Sequence, residues 1–382
     1  MARQLNLVPA PPPEAAGAAL VGVWPALRRS LAGDAPLAVV PAAPGPAAAA
    51  RAVLRPDEPL EPGTDLVVVT SGSTGGAKGV LLSAGALRAS ATATEHRLGG
   101  PGSWLLMLPP SAVGGLQVLV RSALADREPT VLERGEPLAA AVGRLPAGDR
   151  RYTSMVPTQL RRLLATDPEA LASFDAVLVG GAATDAPLLD AARAAGVRVR
   201  TTYGMSETAG GCVYDGRPLD GVTVRVDEGV ELSGPVLAHG YRLDPAATAG
   251  AFVDGWFRTR DAGGLAPDGT LTVHGRLDDV VVSGGVNVSP QAVEAALRAH
   301  PAVADAVVAG LPDPEWGQRV VAVVVPAPGA DPQLAELRPW VAGRLGAPAA
   351  PRELHRVDAV PTLHTGKPDR RAVLRDLTRG DR

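Results

Sequence analysis

The region from residue 65 to about residue 203 most constrains the fold, because short apolar runs alternate there with longer amphipathic stretches. Short runs rich in valine and leucine are typical of buried strands, whereas apolar residues three to four positions apart are typical of helices. Strands that alternate with helices indicate a parallel sheet whose faces the helices cover. The expected strands are 66–70, 104–108, 152–156, 176–179 and 197–202, and the expected helices begin near Ser83, Gly114, Pro157 and Asp185.

The segments on either side of this region have different patterns. The first 62 residues combine Pro/Ala-rich stretches at 8–16 and 41–50 with one expected helix at 20–31, and we interpret them as a short lead-in. After Gly221, short apolar runs separated by turn signals predict a β-rich subdomain that includes a hairpin across residues 267–269. A compact β/α mixture follows, with strands expected at 280–283, 303–308 and 320–325, a helix at 289–299 and a last helix from residue 369.

These patterns predict an α/β protein with two domains. The larger, residues 1–275, is expected to contain parallel β-sheets with flanking helices and the β-rich subdomain. The smaller, residues 276–382, is expected to be a mobile α+β domain with its hinge at residues 276–279. The length of 382 residues fits this organisation at ~150 residues per domain.

Composition and charge exclude several classes of function. Lysine and arginine number 37 and aspartate and glutamate 40, so the formal charge of −3 removes the positive surface that nucleic-acid binding usually needs. No apolar run approaches the roughly 20 residues of a membrane span, and the N-terminus has no secretory apolar region. The single cysteine, Cys212, excludes an internal disulfide and is interpreted as an inert core residue. We therefore expect a cytoplasmic protein that acts on small molecules, with a homodimer as a further expectation.

The most informative stretch for function is an apolar strand that runs into a loop of glycine, serine and threonine. It reads VVVTSGSTGGAKGV at residues 67–80. Backbone N–H groups, hydroxyls and the Lys78 ammonium can surround phosphate oxygens there, because glycines let the backbone approach a ligand. The stretch lacks the residues around the lysine that define a Walker A loop, and it contains no Rossmann G-x-G-x-x-G. A flexible surface loop is the alternative, but the preceding strand and the embedded lysine favour phosphate binding.

This loop resembles, nearly residue for residue, the phosphate loop of the adenylate-forming superfamily of acyl-CoA synthetases, luciferases and nonribosomal adenylation domains. The resemblance implies that the loop holds the phosphates of ATP, and that Mg²⁺ binds together with ATP. The phosphate-loop residues that it assigns to ATP are Thr70, Ser71, Gly72, Ser73, Thr74, Gly75 and Lys78.

A second motif of the superfamily lies at residues 203–208, which read YGMSET and are similar to its Y-G-x-[ST]-E-T. The resemblance implies that Tyr203 packs on adenine, Thr208 meets the AMP phosphate and Glu207 holds Mg²⁺. A lipase elbow would begin in the same way, but Thr208 stands where its last glycine belongs. The further nucleotide contacts that the resemblance implies are Gly180, Gly181, Ala182, Gly204 and Met205.

Two motifs lie near the expected domain boundary. The sequence WFRTRD, which ends at Asp261, is similar to the Y-R-T-G-D motif whose aspartate binds both ribose hydroxyls, although Arg260 replaces the usual glycine. The sequence GRLDD resembles the hinge motif, which implies that Arg276 faces the ribose and that Asp278 is the pivot. A charged turn is the alternative interpretation of each motif.

A last motif, GKPDR, ends at Arg370 and looks like the closing G-K-x-x-R of the superfamily. The resemblance assigns to Lys367 the charge that stabilises the transition state of adenylation. A solvated lysine is the alternative, but the order of the five motifs along the chain favours the catalytic role.

Within the superfamily the chain resembles the short o-succinylbenzoate–CoA ligases of menaquinone synthesis in actinobacteria, including residues 151–154, 202–216 and 351–355. A physical argument supports this substrate, because Arg121 interrupts an otherwise apolar helical stretch and a guanidinium near a buried acyl pocket needs an anion. The aryl carboxylate of 2-succinylbenzoate would supply that anion, whereas an exposed Arg121 is the alternative. Ala112 departs from the family, which usually has histidine there. The expected acyl contacts are Arg121, Gly114, Gly115, Ser206 and Gly210.

The sequence therefore predicts an acid–CoA ligase that forms an acyl-adenylate from ATP and then a thioester with CoA. A ligase for another aryl or dicarboxylic acid is one alternative. A nucleotide-binding homologue without catalysis is the other, although the presence of Glu207 and Lys367 argues against it.

Overall fold

The computed structural model describes residues 3–10, 16–70, 76–362 and 369–380. The chain divides into two compact units. The first unit comprises Met1–Thr184, Leu188–Arg225 and Glu231–Thr259, and the second comprises Asp185–Pro187, Val226–Val230 and Arg260–Arg382. The main division thus precedes the 261–276 hairpin, which the sequence analysis assigned to the larger domain. The hinge at 276–279 stays a prediction.

The elements that lie wholly or mostly in the first unit are, in its described part, sixteen strands, nine helices and one 3-10 turn at Ser206–Thr208. In chain order they are β1 (Asn6–Ala10), α1 (Ala16–Leu31), β2 (Leu37–Pro41), α2 (Pro44–Leu54), β3 (Leu66–Val69), β4 (Gly79–Leu82), α3 (Ala84–Leu98), β5 (Ser103–Leu106), α4 (Val113–Leu124), β6 (Thr130–Val131), α5 (Leu138–Gly143), β7 (Arg151–Met155), α6 (Pro157–Thr166), α7 (Pro168–Ala172), β8 (Ala176–Val179), α8 (Ala186–Ala194), β9 (Val199–Met205), β10 (Gly210–Tyr214), β11 (Arg217–Pro218), β12 (Thr223–Val226), β13 (Val230–Ser233), β14 (Gly240–Tyr241), α9 (Pro245–Ala251), β15 (Phe252–Val253) and β16 (Trp256–Arg258).

A seven-stranded sheet confirms the predicted parallel α/β architecture. Its order is β11-β10-β9-β8-β7-β5-β6, and β6, β5, β7, β8 and β9 run parallel. The strand before the phosphate loop, β3, lies instead in a five-stranded sheet of order β1-β2-β3-β4-β14, where β4 is antiparallel to β3. The alternating pattern did not reveal this, because all four residues of β4 are buried and β4 leads directly into α3.

The interpretation of the first 62 residues as a lead-in needs correction. Part of the stretch 8–16 is β1, which pairs in parallel with β2, and Leu37 of β2 pairs with Leu66 of β3. The stretch 41–50 contributes to α2, where proline at the helix start fits the helical φ and needs no hydrogen-bond donor. A composition of proline and alanine had obscured both elements.

The remaining strands of the first unit fit the predicted β-rich part. The strands β12, β13, β16 and β15 form a four-stranded sheet in that order. The strand β14 leaves this region and pairs antiparallel with β4 of the five-stranded sheet. None of the helices in the described part of the chain combines the length and apolar character needed to cross a membrane.

The second unit is a small α+β structure, as predicted. Strands β17 (Asp261–Leu265) and β18 (Leu271–Arg276) form the expected hairpin. A sheet of order β20-β19-β22-β21 is formed by β19 (Val281–Ser283), β20 (Val286–Val288), β21 (Val303–Asp313) and β22 (Gly317–Pro326), and β23 (Glu353–Arg356) pairs in parallel with β22. Its core is built largely from valine, alanine and leucine. Its helices are α10 (Pro290–Arg298), α11 (Leu334–Leu345) and α12 (Arg370–Gly380).

A buried arginine fixes the segment after α2 to β4, the strand that follows the phosphate loop. The side chain of Arg242, directly after β14, is 0% exposed and pairs with the Glu61 carboxylate at 2.8 Å. Its backbone N–H donates to the Gly79 carbonyl at 2.7 Å, and a Cβ on Gly79 would lie 2.9 Å from the Arg242 Cβ. The guanidinium also donates to the carbonyls of Leu54, Arg55, Glu58 and Pro59.

Replacing this arginine tests its contribution to stability. Arg242→Ala removes one partner of a buried ion pair and leaves several carbonyls without their donor, so we expect the free energy of unfolding to fall by about 3–5 kcal/mol. Urea denaturation measures the change. The matched control is Arg193→Ala, because Arg193 pairs with Asp190 on the surface and its loss is expected to cost less than about 1 kcal/mol. Equal losses in the two variants would contradict the assigned role.

Candidate active site

The lysine of the phosphate loop and the glutamate of the 203–208 motif meet at one tyrosine. The Lys78 ammonium lies 4.3 Å from the ring centroid of Tyr241. The Tyr241 hydroxyl donates to Glu207 Oε1 at 2.9 Å. Burial, followed by the charge and hydrogen bond of Glu207, raises the pKa of Tyr241, so the phenol keeps its proton at neutral pH. Lys78 and Glu207, both predicted site residues, thus contact the same residue, Tyr241, which lies in none of the predicted motifs.

The backbone around the loop is closed by hydrogen bonds at its two ends. Thr70 donates its backbone N–H to the Lys78 carbonyl at 2.8 Å, and the Lys78 N–H donates to Thr70 Oγ1 at 3.2 Å. These bonds continue the antiparallel pairing of β3 with β4. The predicted ATP contacts Ser71, Gly72, Ser73, Thr74 and Gly75 lie outside the described residues.

The 203–208 motif runs from the end of β9 into the 3-10 turn. Gly204 has no room for a side chain, because a Cβ would lie 2.2 Å from the Gly210 carbonyl oxygen. The Thr208 hydroxyl accepts from the Met205 N–H at 2.9 Å and donates to the Gly210 carbonyl at 2.7 Å. In this conformation Thr208 is buried and shapes the turn, and its contact with the AMP phosphate stays a prediction.

The glycine-rich turn after β8 also depends on the absence of side chains. A Cβ on Gly180 would lie 2.2 Å from Thr202 Oγ1, so only glycine lets the chain pass β9 at this point. Gly181 follows with φ of +81°, a left-handed conformation that glycine adopts readily. The predicted turn is therefore present beside the 203–208 motif, together with Ala182, and its contact with adenine stays a prediction.

Helix α4 packs against the same motif and places Arg121 in the interior. Gln117 donates to the Ala209 carbonyl at 2.6 Å, and a Cβ on Gly210 would lie 3.2 Å from Gln117 Cγ. Gly115 is packed too closely for a side chain, since its Cβ would lie 2.3 Å from a backbone carbonyl oxygen, and the neighbouring Gly114 is half-buried. Arg121 is 3% exposed, so the alternative of an exposed arginine is wrong.

The surroundings of Arg121 leave part of its hydrogen-bonding capacity unused. Its guanidinium lies 4.8 Å from the Trp104 ring, and Nη2 donates to the Tyr214 hydroxyl over a long 3.4 Å. Arg121 Nε and Trp104 Nε1 are buried without a hydrogen-bond partner among the described residues. Burial lowers the pKa of Arg121, and the nearby Glu95 opposes that shift. A buried guanidinium with an unpaired N–H is suited to bind an anion.

The second unit brings together the two predicted ribose residues. Asp261 on β17 and Arg276 on β18 face each other, with 3.5 Å between Oδ1 and Nη1. Arg276 also binds both carboxylate oxygens of Asp278, at 2.9 and 3.0 Å. Arg260, which replaces the usual glycine, contacts Asp278 at 3.1 Å. The arginine at position 260, which stands in place of the usual glycine, therefore adds an ion pair to Asp278, the predicted pivot.

The closing motif is anchored at its last residue. Arg370, the first residue of α12, donates to the Val308 carbonyl at 2.8 Å and pairs with the buried Glu294 at 2.6 Å. These contacts fix the start of α12 to β21 and α10. Lys367, the predicted catalytic residue, lies outside the described residues.

The protein side chains fit a magnesium ion that arrives with ATP. Within the described ranges, no group of three or more His, Cys, Asp and Glu side chains could hold a metal ion. Mg²⁺ is commonly bound by one or two carboxylates together with substrate phosphates and water, and Glu207 is a carboxylate of this kind. The role of Glu207 as a ligand of Mg²⁺ stays a prediction.

The one thiol is buried in β10. Cys212 is 0% exposed, and burial raises its pKa to about 12. At pH 8 such a thiol is ionised to roughly one part in ten thousand. The interpretation of Cys212 as a core residue therefore agrees with its burial.

The reactivity of this thiol can be measured directly. Because the folded pKa is raised, we expect iodoacetamide to leave the native protein unmodified and fully active at pH 8, and to alkylate Cys212 once the chain is unfolded in urea. Mass spectrometry before and after denaturation measures the modification. Alkylation of the native protein at the rate of the unfolded chain would contradict the buried environment.

Comparison with known proteins agrees with the motifs. The model for AMP-binding enzymes matches residues 26–236, more than half of the chain, and the model for their C-terminal domain matches residues 292–367. A probable 2-succinylbenzoate–CoA ligase of Mycobacterium tuberculosis is 49% identical over 94% of this chain and 96% of its own length.

Solved structures give the same fold. The o-succinylbenzoate CoA synthetase of Bacillus subtilis, in complex with its acyl-adenylate intermediate, is 25% identical with a TM-score of 0.74, over 92% of this chain and 80% of its own. That synthetase also has a structure with ATP and magnesium ion, with a TM-score of 0.71 and 28% identity over 81% and 69% of the two chains. The amide bond synthetase McbA of Marinactinospora thermotolerans is 27% identical with a TM-score of 0.76, over 98% of this chain and 90% of its own. The chain therefore belongs to the AMP-binding enzymes, the adenylate-forming superfamily, and shares that family with the 2-succinylbenzoate–CoA ligases.

Proposed function

We propose that this AMP-binding enzyme is an AMP-forming acid–CoA ligase that converts 2-succinylbenzoate, ATP and CoA into 2-succinylbenzoyl-CoA, AMP and pyrophosphate in menaquinone synthesis. The buried Arg121 of α4 carries the choice of acid, because its Nε–H lies in the interior without a hydrogen-bond partner among the described residues and can donate to an anion. The name of the Mycobacterium tuberculosis relative supports the same substrate.

In the first step, the succinyl carboxylate attacks the α-phosphorus of ATP. An acyl C–O–P bond forms, the bond between the α- and β-phosphates breaks, and pyrophosphate leaves. Charge accumulates on the phosphate oxygens in the transition state, so fixed cations there lower the barrier. We assign this role to Lys78 and Lys367, with the phosphate loop, while Glu207 would hold the Mg²⁺ that neutralises the phosphates.

In the second step, the CoA thiolate attacks the acyl carbon, a C–S bond forms, the bond between the acyl carbon and the phosphate oxygen breaks, and AMP leaves with that oxygen. Binding of adenine is assigned to Tyr203 and the 180–182 turn, and binding of the ribose to Asp261 and Arg276. We assign the pivot between the two steps to Asp278. Because ATP and CoA are intracellular metabolites, we infer a cytoplasmic location, and a homodimer stays part of the proposal.

Isotope exchange between ATP and pyrophosphate tests the first step with a panel of aryl and dicarboxylic acids. We expect exchange to be strongest with 2-succinylbenzoate, and thioester to form when CoA is added. Stronger exchange with another acid would identify that acid as the substrate instead of 2-succinylbenzoate. No exchange with any acid would indicate a nucleotide-binding homologue without catalysis. Adding an amine in place of CoA tests whether the enzyme transfers the acyl group to a thiol or to an amine, since a structural neighbour is an amide bond synthetase.

The substrate assignment predicts a specific loss in Arg121→Ala. If the guanidinium pairs with the aryl carboxylate in the interior, we expect kcat/KM for 2-succinylbenzoate to fall. The fall should correspond to a rise of about 2–4 kcal/mol in activation free energy, with a much smaller change in the KM for ATP. Steady-state kinetics with each substrate varied in turn measures both parameters.

An analogue without the ring carboxylate provides the control for this prediction. It should be a poor substrate of the parent enzyme and should lose little more in Arg121→Ala, because the deleted contact was never made. Comparing two enzymes with two substrates isolates the coupling energy. Equal losses for both substrates would make Arg121 a structural residue.

The pivot assignment predicts that Asp278→Pro slows thioester formation more than adenylation. Proline fixes φ and would restrict rotation at this residue, but the substitution also removes the carboxylate that binds Arg276 and Arg260. Asp278→Ala is therefore the matched control, since it removes the same carboxylate without restricting φ. Single-turnover rates of the two half-reactions separate the effects. Identical rates in the two variants would show that φ at this residue does not matter for the second step.

A further inference from the structure

Tyr241 contacts one residue from each of two separate motifs, Lys78 of the phosphate loop and Glu207 of the 203–208 motif. It lies on β14 in the five-stranded sheet, where it pairs with Val80 of β4, two residues after Lys78. Glu207 lies on the 3-10 turn that follows β9 of the seven-stranded sheet. The hydrogen bond from the Tyr241 hydroxyl to Glu207 thus links the five-stranded sheet to the 203–208 motif, which follows a strand of the seven-stranded sheet.

The carboxylate of Glu207 is fixed by this contact in addition to its backbone. The Ala238 N–H donates to the Glu207 carbonyl at 2.8 Å, and the Tyr241 hydroxyl donates to Oε1 at 2.9 Å. The segment 238–241 therefore holds both the main chain and the side chain of Glu207. A carboxylate whose orientation is set before the ligand arrives loses less conformational entropy on binding.

The ring of Tyr241 makes a second, separable contact. It lies under the Lys78 ammonium at 4.3 Å, within the range of a cation–π interaction. On another side the ring packs edge-to-face against Phe252, with 5.6 Å between centroids. The hydroxyl and the ring therefore act on different partners, so substitutions can separate them.

We propose that Tyr241 is a positioning residue for adenylation, whose hydroxyl orients the Glu207 carboxylate toward the magnesium ion of Mg²⁺·ATP and whose ring holds the Lys78 ammonium at the phosphates. The inference rests on the proposed function for the role of Glu207. Partners that orient a metal-binding side chain typically change metal affinity by about 10- to 100-fold when they are removed.

Tyr241→Phe tests the hydroxyl alone, because it keeps the ring over Lys78 and against Phe252. We expect the Mg²⁺ concentration that half-saturates ATP binding to rise about 10-fold in this variant, with the ATP Kd at saturating Mg²⁺ within about twofold of the parent. Titration calorimetry of ATP into the full chain at a series of Mg²⁺ concentrations measures this without any acid substrate. Tyr241→Leu removes the ring as well and should also weaken ATP binding at saturating Mg²⁺.

Tyr152→Phe is the matched control. Tyr152 is also buried, and its hydroxyl donates to the carbonyls of Leu98 and Gly100. Its Mg²⁺ dependence should equal that of the parent, and thermal melting verifies that each variant is folded.

The outcomes distinguish this inference from the proposed function. An unchanged Mg²⁺ midpoint in Tyr241→Phe, or an equal shift in Tyr152→Phe, would overturn the inference while ATP binding by the parent upholds the nucleotide site. A parent protein that binds no Mg²⁺·ATP would overturn both. A Mg²⁺ shift in Tyr241→Phe together with no exchange for 2-succinylbenzoate would support the inference and reject only the acid.

Discussion

The buried guanidinium of Arg242 is the interaction on which the arrangement of the first unit depends. The guanidinium donates hydrogen bonds to carbonyls of the 54–59 segment and to the Glu61 carboxylate. The backbone N–H of Arg242 donates to the Gly79 carbonyl. A short two-residue strand such as β14 has few hydrogen bonds of its own, so this anchor sets where β14 lies along β4. Tyr241 is the residue before Arg242, so the register of β14 along β4 determines its position. The contact of Tyr241 with Glu207 therefore depends on the same register.

Local sequence predicted the elements whose residues settle their own conformation. The strand Ala176–Val179 and the helix after the Ser83 cap lie where periodicity and capping put them, since buried runs and caps act over a few residues. The pairing of β4 with β14 could not be predicted in this way, because β14 lies about 160 residues further along the chain than β4. Proline and alanine likewise gave no periodic signal for β1 and α2.

The site shows the same distinction between local and distant information. Motifs of consecutive residues identified Lys78, Glu207, Asp261 and Arg276, and the interruption of an apolar helix identified Arg121 as a candidate for burial. Tyr241 carries no such motif, and only its contacts with Lys78 and Glu207 reveal it. One signal was available, because the chain has only 4 tyrosines and a scarce side chain in a chain built from alanine and valine often has a specific partner.

The shared carboxylate of Asp278 makes the boundary segment of the second unit sensitive to its ionic surroundings. The Arg260 side chain is 68% exposed, so dissolved ions compete for its contact, whereas the two-pronged contact of Arg276 is more sheltered, at 34% exposure. The Debye length is about 8 Å at physiological ionic strength, and salt screens sheltered ion pairs less than exposed ones. We therefore expect rising salt to weaken the Arg260 contact before the Arg276 contact, so that the hold on Asp278 shifts toward Arg276 as the ionic strength increases.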